Sequence, residues 1–98
     1  MSVYIKNIAH EKELSLADQV VVVPGQIVSR TLAQNKFVSI TLFAFSQGEE
    51  ISTHQSEGDA MVTVLSGTGR LTVDGTEHIV EAGQTLVMPA HKPHAVYA

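Results

Sequence analysis

Short apolar runs, rich in β-branched residues and separated by turn residues, make up the chain beyond residue 18. None of them shows the three- and four-residue apolar spacing of a full-length amphipathic helix. Runs of this length that end at glycine, proline, asparagine or serine are typical of β-strands. The pattern predicts about eight strands, at residues 20–23, 27–32, 37–45, 60–65, 71–73, 78–80, 85–88 and 95–97.

The turns between these strands indicate how they pair. Asp74-Gly75 separates two of them and is a strong hairpin signal, because both residue types tolerate a positive φ angle. Short strands at close and even spacing predict an all-β fold, either a β-sandwich or a barrel. Two facing sheets of a jelly roll would bury the alternating residues of each strand. The charged stretch at residues 10–18 has two interpretations, which are one or two helical turns or a solvated loop.

Length and composition limit the possible classes of protein. With 98 residues, of which 44% are hydrophobic, the chain is predicted to form a single domain over residues 1–98. Residues 1–18 are expected to be its N-terminal segment, and residues 19–98 its barrel. The slight apolar excess would be explained by a second subunit that covers part of the surface.

Charge and composition disfavour several partners and locations. The formal net charge is −4 and the six basic residues are scattered, so we expect no nucleic-acid partner. No apolar run approaches membrane-spanning length, and the N-terminal residues lack a signal-peptide pattern. We therefore expect a cytoplasmic location and no membrane partner. The absence of cysteine excludes disulfides and thiolate metal sites.

A histidine after the third predicted strand is the first candidate for chemistry. In a regular strand, residues of equal parity share one face of the sheet. If His54 points inward, Ser56 and Ala60 are expected to point inward as well, with Val62 and Val64 deeper in the barrel. This parity predicts one cavity wall that carries an imidazole, a hydroxyl and a small apolar side chain.

The segment around this histidine resembles the first signature motif of the cupins, a family of small β-barrels that often hold a metal ion. The motif is usually written G-x5-H-x-H-x3,4-E-x6-G, and Gly48, His54 and Gly67 fit its spacing. In metal-binding cupins both histidines and the glutamate bind the ion. Here Ser56 takes the position of the second histidine, and Ala60 takes that of the glutamate.

A second segment resembles the other cupin motif, which is usually written G-x5-P-x-G-x2-H-x3-N. Gly83, Pro89 and His94 fit its spacing. His91 takes the glycine position, and Ala98 takes the asparagine position. The resemblance extends over roughly residues 37–98. It implies a cupin barrel, which is a jelly-roll or double-stranded β-helix of two antiparallel sheets, with a binding site between the two motifs.

The resemblance also implies that only part of the family's ligand set is present. His54 and His94 are expected to face each other across one cavity, and two imidazoles suit zinc, nickel, copper or iron. Because catalytic zinc sites usually keep three protein ligands, we expect a divalent transition metal to be weakly bound or absent. The predicted ligand-binding residues are His54, Ser56, Ala60 and His94, of which the two histidines are the candidate metal ligands. Gln55, Asp59 and His91 are alternative ligands beside the motifs.

Three functions remain open from the sequence. The first is a small-molecule-binding cupin barrel that uses the two histidines as polar anchors and holds a metal weakly or not at all. The second is a metal-dependent cupin enzyme, dioxygenase- or isomerase-like, whose substrate supplies the missing ligands. The third is a non-catalytic sensing or storage module. Small cupins commonly pair through their sheets, so the resemblance implies a homodimer.

Overall fold

Antiparallel β-strands dominate the computed structural model, which describes residues 4–98. The predicted all-β class is confirmed, since eight strands and one short 3-10 helix at Leu16–Gln19 are the regular elements of these residues. Within the same range, no helix has the length and hydrophobicity needed to cross a bilayer. The chain divides into two compact units, one ending at Ser46 and one beginning at Gln47. A single domain over residues 1–98 stays a prediction.

The first unit is built on one hairpin. Strand β1 (Ile27–Gln34) pairs antiparallel with β2 (Ser39–Phe45), and a bulge lies between Thr31 and Ala33. Asn35 stabilises the turn between them, because its side-chain oxygen accepts the backbone N–H groups of Phe37 and Val38. The buried side chains of this unit are Leu32, Ala33, Leu42 and Ala44.

The predicted strand at residues 20–23 is wrong. This valine run precedes the turn at residues 24–25 and joins no sheet, and Val21 is 70% exposed. High β-propensity reflects packing on a paired, half-buried sheet, so it does not make a strand where no neighbouring strand is paired. Of the two interpretations of residues 10–18, the loop describes most of the stretch, since regular structure begins only with the 3-10 turn at Leu16.

The second unit contains two antiparallel sheets. A four-stranded sheet has the strand order β3-β8-β5-β6, and a two-stranded sheet pairs β4 with β7. The bounds are Glu50–His54 for β3, Ala60–Thr63 for β4, Thr68–Val73 for β5, Thr76–Glu81 for β6, Thr85–Met88 for β7 and His94–Tyr97 for β8. Strand β3 was not predicted, because Ile51 is its one apolar residue and an edge strand with exposed side chains shows no apolar alternation.

The core of the second unit lies between these two sheets. Leu71, Val80 and Met88 are buried, and they come from β5, β6 and β7. Half-buried side chains of both sheets, and of the residue after β4, pack against them. These are Ala60, Val62, Val64, Val73, Leu86 and Val96. The predicted hairpin turn at Asp74-Gly75 is confirmed, with φ angles of 50° and 82° between the paired residues Val73 and Thr76.

Candidate functional site

Two histidines meet at one end of the four-stranded sheet. His54 is the last residue of β3, His94 is the first residue of β8, and the two are directly opposite in the antiparallel ladder. Their Nε2 atoms approach to 3.0 Å. The ring centroids are 4.2 Å apart, and the ring planes are inclined by 77°. The structure thus brings together the two residues that the motif spacing singled out.

A β-bulge places His54 in this position. Ile51 pairs with Val96 and His54 pairs with His94, so three steps along β3 correspond to two steps along β8. In an unbroken ladder, Thr53 would lie opposite His94, and His54 would point to the other face of the sheet. One extra residue in β3 therefore reverses the face on which His54 lies, which is a common role of bulges beside functional sites.

The two rings differ in their exposure to solvent. His94 is 2% exposed, and it lies on the same face of β8 as Val96, which packs against the core. His54 is exposed. The pair therefore extends from the interior between the two sheets of this unit to its surface, so a ligand could reach the outer imidazole from solvent.

Backbone carbonyl groups determine which ring nitrogens carry hydrogen. The Nδ1–H of His54 donates to the carbonyl oxygen of Ser52 at 2.9 Å, and the Nδ1–H of His94 donates to that of Lys92 at 3.1 Å. A carbonyl oxygen can only accept, so both neutral rings carry their hydrogen on Nδ1 and a lone pair on Nε2. Two lone pairs at 3.0 Å repel each other unless a proton or a cation is shared between them.

This arrangement agrees with metal-binding histidines in one respect. Such histidines almost always donate the second ring N–H to a carbonyl or carboxylate, which orients the ring and fixes the tautomer. The number of ligands differs from that of a typical metal site. Within residues 4–98, no group of three His, Cys, Asp or Glu side chains could hold a metal ion. The pair can therefore supply two coordination positions, and a metal would need further ligands from water or from a bound molecule.

The other predicted site residues have different surroundings. The Ser56 hydroxyl donates to the carbonyl oxygen of Gly58 at 2.8 Å. Ala60 packs against the core cluster of its unit. Their roles in ligand binding stay predictions.

Two of the alternative ligands lie in neighbouring loops. Asp59 accepts the backbone N–H of Ala90 through Oδ1 at 2.8 Å. His91 is exposed and has a φ angle of 65°, and its backbone N–H donates to the Ser56 carbonyl at 2.9 Å. No local sequence pattern indicates the contact between Asp59 and Ala90, because it joins residues that are 31 positions apart.

Comparison with known protein families identifies the family of this chain. The family model described as the cupin domain matches residues 41–98, which include both histidines. The chain belongs to the cupin family. The predicted jelly-roll fold of this cupin is confirmed by its likeness to solved cupin structures. A search of the curated proteins finds no match.

Solved structures resemble this cupin over nearly its whole length. A conserved protein of unknown function from Streptococcus pyogenes is 48% identical, with a TM-score of 0.95 over 99% of this chain and 85% of its own. A cupin superfamily protein from Desulfitobacterium hafniense is 34% identical, with a TM-score of 0.90 over 96% and 86% of the two chains. A cupin 2 conserved barrel domain protein from Leptotrichia buccalis is 42% identical, with a TM-score of 0.85 over 87% of this chain and 41% of its own.

Proposed function

We propose that this cupin binds a small molecule at the imidazoles of His54 and His94. The observation that supports the proposal is the pair of Nε2 atoms, 3.0 Å apart, whose Nδ1–H groups are both engaged by carbonyls. Two converging lone pairs attract an electron-poor centre. The ligand therefore contributes either a hydrogen-bond donor or a divalent cation that it chelates together with the two rings.

A metal at this site would be held weakly. Zinc, nickel, copper and iron accept imidazole ligands, and His54 and His94 would occupy two positions of the coordination sphere. The remaining positions would go to water or to oxygen atoms of the small molecule, because Ser56 and Ala60 supply no imidazole or carboxylate. When bound, such an ion acts as a Lewis acid that polarises a coordinated carbonyl group.

Titration of the purified protein with Ni²⁺, followed by calorimetry, tests the proposal. We expect weak binding to the wild type that a chelator reverses, and loss of binding in His54→Ala and in His94→Ala. His78→Ala is the matched control, since it removes a half-buried imidazole from β6 outside the pair. Equal binding by wild type, His54→Ala and His94→Ala would contradict the metal-chelating form of the proposal.

A magnetic-resonance measurement tests the arrangement of lone pairs without metal. In ¹⁵N spectra of the metal-free protein, we expect hydrogen on Nδ1 of both rings, because each Nδ1 donates to a carbonyl. If either ring carries its hydrogen on Nε2 alone, the two lone pairs do not converge. That result would contradict the proposed pair of acceptor nitrogens, independently of the nickel titration.

We also propose that the protein forms a homodimer. Support comes from the first unit, where Tyr4, Val21 and Phe37 are 82%, 70% and 83% exposed. An open groove of about 590 Å³ in the same unit is lined partly by valines, which are Val20, Val21, Val23 and Val28. Apolar surface of this kind is typical of interaction sites. Light scattering after gel filtration should give twice the chain mass, and a monomer mass would contradict the proposal.

A further inference from the structure

Two loops lie beside the histidine pair and join the two sheets of the second unit. Loop A (residues 55–59) connects β3 with β4 and begins directly after His54. Loop B (residues 89–93) connects β7 with β8 and ends directly before His94. Each loop leads from one sheet to the other, so the relative position of the loops affects the relative position of the two imidazoles.

Two hydrogen bonds connect loop A with loop B. The Asp59 carboxylate accepts the backbone N–H of Ala90 at 2.8 Å. The Ser56 carbonyl accepts the backbone N–H of His91 at 2.9 Å. Within loop A, the Ser56 hydroxyl donates to the Gly58 carbonyl at 2.8 Å. Loop A therefore offers one side-chain acceptor and one main-chain acceptor to consecutive N–H groups of loop B.

Loop B has few backbone N–H groups that can donate to a neighbouring segment. Pro89 and Pro93 have none, which leaves the N–H groups of Ala90, His91 and Lys92. The first two bond to loop A, and the Lys92 N–H donates within its own loop, to the Pro89 carbonyl at 3.3 Å. The two N–H groups of loop B that donate outside the loop thus go to loop A, and Asp59 accepts one of them. On its other side, the Pro93 carbonyl of loop B accepts the backbone N–H of Asp74 at 2.8 Å.

The ladder between β3 and β8 holds His54 weakly, whereas His94 is also paired with Val73 of β5. The bulge between Ile51 and His54 interrupts the pairing of β3 with β8 immediately beside the histidines. Beyond the bulge, His54 opposite His94 is the one register pair of these strands. A contact outside this ladder therefore helps to keep the Nε2 atom of His54 at 3.0 Å from that of His94.

We propose that Asp59 is a positioning residue for the His54–His94 pair. Its carboxylate does not bind the ligand; it holds loop B against loop A through the Ala90 N–H, and so sets the spacing of the two imidazoles. The inference rests on the proposed function of the pair. It differs from the alternative in which Asp59 is itself a metal ligand, because positioning requires only an acceptor oxygen and coordination requires the carboxylate.

Substitutions at Asp59 distinguish these roles by Ni²⁺ titration. Asp59→Asn keeps an acceptor oxygen and should bind Ni²⁺ like the wild type. Asp59→Ala should bind up to about 10-fold more weakly, the low end of the loss that follows when a group bonded directly to a ligand is removed, because Asp59 acts on the pair only through Ala90. Asp59→Glu keeps the charge but moves the carboxylate by one methylene, and it should also weaken binding. Glu57→Gln is the matched control in loop A and should have no effect. Equal weakening in Asp59→Asn and Asp59→Ala would overturn the proposal.

A second measurement reports on the geometry without metal. In ¹⁵N spectra of the imidazoles, Asp59→Asn should keep both hydrogens on Nδ1, as in the wild type. Asp59→Ala, or Asp59→Glu if the alanine variant does not fold, should show both tautomers in exchange, because the pair is no longer held in one arrangement. Wild-type spectra in Asp59→Glu would overturn the positioning role. Failure of the wild type to bind Ni²⁺ would instead count against the metal-chelating function, and the spectra would still test Asp59.

Discussion

The two histidines of the pair should differ in their contribution to stability. Both were expected from the sequence to face one cavity, but His94 is 2% exposed while His54 is exposed. His94→Ala removes a buried ring that donates to the Lys92 carbonyl. The lost packing resembles a large-to-small core substitution, which costs about 2–5 kcal/mol for an aliphatic side chain.

Two features bring the cost for His94 to the lower end of that range. Lys92 is exposed, so water can bond to its carbonyl once the imidazole is gone. The substitution also removes the repulsion between the Nε2 lone pairs of His94 and His54. We therefore expect a loss of about 2 kcal/mol in the free energy of unfolding, which corresponds to roughly 8–16 °C in Tm for a chain of this size. His54→Ala removes an exposed ring and should change stability by no more than about 0.5 kcal/mol.

Thermal melts followed by circular dichroism test this difference. Leu71→Ala is the reference, because Leu71 is 1% exposed at the centre of the core and should lose about 2–5 kcal/mol. We expect the wild type and His54→Ala to have the highest and nearly equal Tm values. His94→Ala should melt at a lower temperature, and Leu71→Ala at the lowest. If His94→Ala melts with the wild type, the ring is not packed as the structure shows. If His54→Ala melts as early as His94→Ala, the exposed ring is structural.

Three further predictions concern the same unit. Ser56→His combined with Ala60→Glu should raise Ni²⁺ affinity in calorimetry by orders of magnitude, since both substitutions restore ligands of the cupin motif; unchanged affinity would show that the backbone lacks that geometry. Gly75→Ala should lower the free energy of unfolding by about 1–2 kcal/mol in urea, because Gly75 has a φ angle of 82°. Gly58→Ala is its control and should have little effect, since a Cβ there meets open space. Lys92→Ala should change stability by less than about 1 kcal/mol in the same assay, because its ion pair with Asp74 is exposed; a larger loss would mean that the pair holds loop B.

Local pattern determined most strands of this protein. The strand predicted at residues 85–88 has the bounds of β7, and the Asp74-Gly75 turn has the positive φ angles that its residue types favour. Both features depend on neighbours in sequence, which are β-branched residues that pack on a pleated surface and turn residues that accept strained backbone. The resemblance of the two motifs, which rests on their glycine, proline and histidine positions, also indicated the cupin fold.

Pairing between distant segments was decided only by the tertiary structure. Residues 20–23 have a stronger strand pattern than residues 50–54, yet only the latter form a strand, because β8 pairs with them. Parity counted from the sequence assumed a regular strand around His54. The bulge in β3 determines which face that residue occupies, and a bulge depends on the register of the partner strand.

The motifs named both histidines, but their chemistry depends on contacts that sequence spacing does not encode. The Nδ1–H groups find carbonyls through the local backbone path of β3 and of loop B. The hydrogen bond of Asp59 to Ala90 joins two loops across 31 residues. A sequence specifies residue types and local preferences, whereas the spacing of two imidazoles depends on how two sheets and two loops are held together, and that is a property of the folded chain.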